Sequence, residues 1–243
     1  EPGVIFGLEL ARETFAQSGA SEFEPLATEG KWRDETSAPV ARISGPARSL
    51  LAGERVGLNF LAHLSGVATL TARFVEAVSG TGAVVLDTRK TTPGLRDLEK
   101  AAVVAGGGQN HRMRLDDAAL IKENHIAVAG GIERAVELAC DRLPPDFEVE
   151  CRDIDDVHAG LAGGARRLLL DNMDAAQLRT AVSARDEFVQ RTGGTVDLEA
   201  SGGVTLENVG QIAATGVDYV SVGALTHSAP AVDLSMLIAD SAI

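Results

Sequence analysis

The segment AGGGQNHRMRLDDAALIKENHI, residues 105–126, concentrates groups that bind anions. Three glycines lead into Asn110, His111 and Arg112, and ten residues after that arginine come Lys122, Glu123, Asn124 and His125. Glycines let a backbone turn tightly, and an arginine fork can then grip a carboxylate through two parallel N–H bonds. A second cationic cluster, DTRKTTPG at 87–94, sets Arg89 beside Lys90, with Thr88, Thr91 and Thr92 as further donors. ASGGVT at 200–205 offers the N–H groups of a glycine turn and a following helix N-terminus as an anion site, and VGALTHS at 222–228 does so more weakly. Two carboxylates, Glu150 and Asp171, stand among these cations. They could hold Mg²⁺, stabilise a cation, or balance Lys90 and Lys122. No Gly-Lys-Ser/Thr follows the three glycines, so they are not a Walker loop. His111 and His125 have neither zinc spacing nor a cysteine nearby, which favours hydrogen-bonding or structural roles.

A repeating pattern positions these groups. From residue 83 onward, short β-branched runs alternate with amphipathic stretches. The strands read as AVVLD (83–87), AALIK (118–122), FEVEC (147–151), the RLLLD run ending at Asp171, VDLEA (196–200) and VDYVSV (217–222). The helices read as LRDLEKAAVVAG, GIERAVELACDRL, AAQLRTAVSARDEFV and TLENVGQIAATG. This alternation predicts a parallel sheet of βαβ units. Six strands rather than eight favour an incomplete βα-barrel over an open doubly wound sheet, and no GxGxxG marks a dinucleotide site. Parallel strands bring their C-terminal ends to one face, where βα-barrel enzymes work. Asp87, Arg89, Lys90, Lys122, Glu150, Asp171, Glu199, Ser201 and Gly223 would therefore meet at one rim.

The first 66 residues differ. GVIFG, EFEPLAT and APVARISG read as strands around one helix, LELARETFAQS, and a long helical region follows Pro46. Ser65-Gly66 is expected to interrupt it. The division predicted is a small α+β domain over 1–66 and a barrel domain over 67–243, with the last fifteen or so residues a helix returning to the first domain.

Composition narrows the function. The chain has 243 residues, 45% hydrophobic and 23% charged, as in a folded soluble protein. Aromatics at 4% and a net charge of −13 argue against nucleic-acid binding. No apolar run is long enough to span a membrane, and the opening residues read as a strand rather than a secretory signal. Cys140 and Cys151 have no redox or metal spacing and fit reduced thiols in the cytoplasm. Only four of the 22 basic residues are lysines. That suits a salt-adapted host, and equally a merely acidic protein.

DTRKTTPG, GGGQNHR, IKENH, EVE, LLLDN, EASGG and VGALTHS resemble, in order and spacing, the quinolinate phosphoribosyltransferases, also called decarboxylating nicotinate-nucleotide pyrophosphorylases. The likeness covers essentially the whole chain, save a helix and strand that the family carries before GVIFG. It implies an N-terminal α/β sandwich domain and an incomplete α/β barrel. It also implies that phosphoribosyl pyrophosphate and quinolinate react with Mg²⁺ to give nicotinate mononucleotide, pyrophosphate and CO₂ in NAD biosynthesis. Arg89, His111, Arg112 and Lys122 would line the quinolinate pocket, while Lys90, Glu150 and Asp171 would face the ribose phosphate and metal. Ser201, Gly202, Gly203, Gly223 and His227 would lie on the 5-phosphate side. Arg55 would reach quinolinate in a neighbouring subunit's site, implying a dimer or an assembly of dimers. Two rivals are a molybdenum-associated paralogue, which diverges at the Asn-His-Arg and Lys-Glu-Asn-His stretches intact here, and a non-catalytic metabolite-binding protein, which would show a degraded cation set.

Overall fold

A computed structural model of the chain describes residues 1–144 and 147–239, which form two compact units. The first unit takes residues 1–73, 91–108 and the chain from 224 onward; the second takes 74–90 and 109–223.

The first unit opens with β1 (Gly3–Val4) and α1 (Leu8–Ser18). α1 buries Leu8, Ala11 and Phe15, one stripe at helical spacing. Its first free N–H groups find a distant partner: Glu29 Oε1 accepts from Gly7 at 2.6 Å and Leu8 at 2.7 Å. A carboxylate there satisfies orphan donors and meets the positive end of the helix dipole. The strands β2 (Glu22–Pro25), β3 (Trp32–Arg33) and β4 (Ala41–Ser44) follow. β1 pairs with β3 and β2 with β4, both antiparallel. β3 is too short to show an alternation, and the sequence reading does not contain it.

α2 is one helix over Ala47–Ala77, so the expected interruption at Ser65-Gly66 is absent. Those residues are contacts rather than breakers. A Cβ on Gly66 would stand 2.1 Å from the Pro230 carbonyl oxygen. Ser65 Oγ accepts the Phe6 N–H at 3.0 Å. Gly53 and Gly57 likewise admit the Phe15 ring, each leaving 2.9 Å where its Cβ would be. Ile5, Leu8 and Leu61 form a buried cluster, with Phe23, Val40 and Leu234 against it. The expected C-terminal helix is also absent: residues 229–239 have no regular structure, and 240–243 lie outside the described residues. Pro230 breaks the helical ladder, and the Val232 N–H instead donates to the Ala62 carbonyl at 3.0 Å. The tail thus lies along α2, but as irregular chain.

Beyond α2 come β5 (Val84–Leu86), α3 (Arg96–Ala105), β6 (Leu120–Ile121), α4 (Glu123–Ala129), α5 (Ile132–Arg142), β7 (Glu148–Cys151) and α6 (Ile154–Gly163). Then follow β8 (Arg167–Asp171), α7 (Ala175–Thr192), β9 (Asp197–Ser201), α8 (Val209–Ala213), β10 (Tyr219–Ser221) and α9 (Ala224–His227). α3 and α9 belong to the first unit.

All six predicted strands form one parallel sheet in the second unit, in the order β5-β10-β9-β8-β7-β6. The first strand sits beside the last and every other neighbour is consecutive. That is a barrel left open between β5 and β6, as expected. Gln109 covers the free edge of β5: its N–H donates to Val85 at 2.9 Å and its carbonyl accepts from Asp87 at 3.1 Å. β8 carries Leu168, Leu169 and Leu170, all buried, because a parallel strand is covered on both faces. Among the described residues of the second unit, two helices escaped the sequence reading. α4 starts where β6 ends, too abruptly to separate by periodicity. α6 is capped by Asp153, whose side chain accepts from Asp156 N–H at 2.9 Å. No helix among the described residues is long and apolar enough to cross a membrane.

Candidate active site

The barrel register decides which side chains meet. Glu150 pairs with Leu169 across β7 and β8, and Asp171 with Ser201 across β8 and β9. Side chains alternate across a strand, so Glu148, Glu150, Arg167, Leu169, Asp171, Glu199 and Ser201 share one face. Arg89 and Lys90 follow β5, His111 and Arg112 follow the Gln109 bridge, and Lys122 follows β6.

The three glycines before His111 are not an anion loop. Gly106 and Gly108 end α3 against α2: a Cβ on Gly106 would stand 2.4 Å from the Ala68 carbonyl, and one on Gly108 2.8 Å from Thr71. They buy proximity, and the chemistry begins at His111. Its N–H donates to the buried Asp87 carboxylate at 2.9 Å. Its Nε2 lies 3.0 Å from Glu148 Oε2, and its Nδ1 accepts the Arg112 N–H at 2.8 Å. The Arg112 guanidinium donates to the Ala118 carbonyl at 2.9 Å. Burial, and then the nearby Arg89 guanidinium, hold Arg112 below the usual arginine value, against a smaller pull from Glu148. The Arg89 guanidinium is thus near enough to disfavour the charge on Arg112. Lys122 Nζ lies 3.5 Å from Glu150 Oε2.

Inside the barrel, Arg167 donates to Glu148 at 3.2 Å and to Glu199 at 2.5 Å, with its guanidinium 4.2 Å above the Tyr219 ring. Burial lowers the Arg167 pKa, but Glu148 and Glu199 outweigh it and the net shift is upward. The two acids diverge. Burial, then Glu148, push Glu199 up to about 7. Burial also opposes ionisation of Glu148, but the His111 hydrogen bond and Arg167 win and lower it. His111, Glu148 and Glu199 offer three ligand atoms within 4.8 Å of one another. The Arg167 guanidinium already supplies the positive charge there, so a metal does not fit. Glu148 and Arg167 are absent from the candidates read from sequence. EVE held the available signal: residues 148 and 150 share a strand face.

At the ends of β8 and β9, Asn172 donates to Asp171 Oδ2 at 2.9 Å, and its N–H to the Ser201 carbonyl at 2.8 Å. Gly202 and Gly203 have φ of 95° and 60°, a region that favours glycine. The helix expected after them starts only at Val209, so the turn itself, not a helix N-terminus, is what ASGGVT presents. Gly223 follows β10. Arg55 and His227 belong to the first unit: Arg55 is exposed on α2, and His227 ends α9 with Nδ1 2.5 Å from Ser228 Oγ.

An incomplete parallel barrel with paired guanidiniums, lysines and carboxylates at its strand ends defines an α/β-barrel enzyme of anionic substrates. The sequence profile described as quinolinate phosphoribosyl transferase, C-terminal domain, matches residues 67–237, and its N-terminal counterpart matches 1–65. The chain belongs to the quinolinate phosphoribosyltransferase family. It is 44% identical to a nicotinate-nucleotide pyrophosphorylase (carboxylating) of Mycobacterium leprae, over 97% of this chain and 83% of that one. It is 43% identical to a probable enzyme of the same name from Synechocystis, over 98% of this chain and 80% of that one. The crystal structure of nicotinate-nucleotide pyrophosphorylase from Ehrlichia chaffeensis superposes with a TM-score of 0.86 at 38% identity, covering 96% of this chain and 83% of that one.

Proposed function

We propose that this chain transfers the phosphoribosyl group of phosphoribosyl pyrophosphate to the ring nitrogen of quinolinate, releasing pyrophosphate and CO₂ and forming nicotinate mononucleotide for NAD synthesis. One observation carries the reading beyond family membership. The Arg112 guanidinium is anchored on the Ala118 carbonyl at 2.9 Å, where burial and then the repulsion of the nearby Arg89 both weigh on its charge. A dicarboxylate relieves that repulsion when it binds.

Arg89, Arg112 and Lys122 take the quinolinate carboxylates, with His111 on the same side. Lys90 faces the pyrophosphate. Glu150 and Asp171 face C1 of the ribose, where positive charge develops as pyrophosphate leaves. The quinolinate nitrogen attacks there; as the bond from C2 to its carboxylate breaks and CO₂ leaves, the adjacent positive nitrogen stabilises the electron pair left on C2, which then takes up one proton from solvent. Little proton transfer is needed, so orientation supplies most of the catalysis. Ser201, Gly202, Gly203 and Gly223 serve the 5-phosphate, and His227 keeps the phosphate-side role implied by the resemblance.

The donor set of Glu150 and Asp171, two carboxylates from neighbouring strands on one face of the sheet, suits a hard divalent cation. Mg²⁺ held there would neutralise the pyrophosphate oxygens. In the free protein the Lys122 contact occupies Glu150. Exposed Leu51 and Val56 flank Arg55 on α2, and this supports a homodimer in which Arg55 completes the neighbour's site. Free Cys140 and Cys151 support a cytoplasmic setting.

The test is an assay of the purified protein with quinolinate, phosphoribosyl pyrophosphate and Mg²⁺. Release of CO₂ and formation of the mononucleotide, both abolished by EDTA, are expected. Absence of turnover overturns the reading.

A further inference from the structure

We infer that Glu148 is a positioning residue for the quinolinate side of the site: it fixes the tautomer of His111, and His111 in turn holds the backbone of Arg112. The inference deepens the proposed function and rests on it for the identity of the ligand.

Both ring nitrogens of His111 are engaged. Nδ1 accepts the Arg112 N–H at 2.8 Å, and a nitrogen that accepts carries no proton. The proton therefore sits on Nε2, which donates to Glu148 Oε2 at 3.0 Å. The bonding assigns this tautomer, and the second partner of the imidazole sets it. With Nδ1 turned to Arg112 and Nε2 to Glu148, the ring serves as a strut within the site. The His111 N–H, donated to Asp87 at 2.9 Å, anchors the other end of that strut.

Glu148 is suited to the task. It is 3% exposed, so its orientation is fixed by its partners rather than by water. Arg167 donates to its Oε1 at 3.2 Å, leaving Oε2 for His111. Only an acceptor at both ends satisfies both neighbours, and a carboxylate is that group.

This predicts a specific failure in Glu148→Gln. The amide oxygen can face Arg167, and then its NH₂ faces His111 Nε2. His111 must accept there and move its proton to Nδ1, where it opposes the Arg112 N–H. With the amide reversed, its NH₂ opposes Arg167 instead. Either way one buried bond is lost.

The test combines long-range ¹H–¹⁵N correlation spectra of the histidine rings with steady-state kinetics. In the unmodified protein at neutral pH, His111 should show the Nε2–H tautomer. In Glu148→Gln the Nδ1–H form should appear. KM for quinolinate should rise about tenfold, the scale of one lost hydrogen bond to a charged group, with KM for phosphoribosyl pyrophosphate within about twofold. An unmodified His111 protonated on Nδ1 overturns the inference, and this outcome needs no variant to fold. Equal rises in both KM values, or an unchanged tautomer with an unchanged quinolinate KM, also overturn it. Absence of turnover by the unmodified protein overturns the proposed function instead, and leaves the tautomer result to decide the inference.

Discussion

A Cβ on Gly202 would stand 2.2 Å from Oδ1 of Asn172, so the ends of β8 and β9 close on each other only because residue 202 has no side chain. Asn172 holds the Asp171 carboxylate from the same position, with its own φ at 55°. A clash there would displace Asp171 as well as the turn. Gly203, by contrast, has nothing within 4 Å of where its Cβ would be. Gly203→Ala should therefore lose only the left-handed preference, about 1–2 kcal/mol. Gly202→Ala should be clearly worse in both stability and KM for phosphoribosyl pyrophosphate. Denaturant melts and kinetics of the two variants, side by side, check the order; equal effects would show that the Asn172 contact is unimportant.

Arg112→Lys keeps a positive charge but replaces a fork with a point charge. If Arg112 grips a carboxylate bidentately, KM for quinolinate should rise roughly 10- to 100-fold, the cost of one or two charge-assisted bonds. KM for phosphoribosyl pyrophosphate should change far less. Equal losses for both substrates would mean that the pocket is wrongly assigned.

Glu199 gives a pH dependence of stability. Its folded pKa is raised from 4.5 to about 7, so the folded state holds this proton where the unfolded chain has released it. The stabilisation it provides is complete below about 4.5 and is lost as pH rises through about 7. Glu199→Gln cannot ionise and escapes that loss. The stability of the glutamine variant relative to the parent should therefore climb between pH 5 and 7, by at most about 1.4 kcal/mol per pH unit for a single proton. Urea unfolding of both proteins across this range measures it. A flat difference would remove the raised pKa.

Gly66→Ala sets two effects against each other. Alanine favours a helix interior over glycine by about 1 kcal/mol. Its methyl would stand 2.1 Å from the Pro230 carbonyl oxygen. Backbone does not yield easily to such a contact, so the variant should release the tail from α2. Protease cleavage near residue 230 should accelerate and the thermal midpoint should fall. A rise in the midpoint would show that the tail contact carries no stability.

What the sequence determined by itself was local. α1 matches LELARETFAQS residue for residue because its apolar stripe, its opening and its closing glycine are all encoded within a dozen positions. The six barrel strands are legible because a β-branched run bounded by polar residues leaves few alternatives. From those strands it follows that Glu150 and Asp171 belong to one rim, since parallel strands carry their ends to one face. The tertiary structure decided whatever depends on register and close approach. Glu148 and Arg167 pair across β7 and β8, and His111 reaches them from beyond an open barrel edge. No spacing in the chain announces that triangle. Gly66, Gly106 and Gly108 look like breaks, yet their missing side chains make room for Pro230, Ala68 and Thr71. A glycine has the same letter whether it frees a backbone or admits a neighbour, and only the neighbour's position tells the two apart.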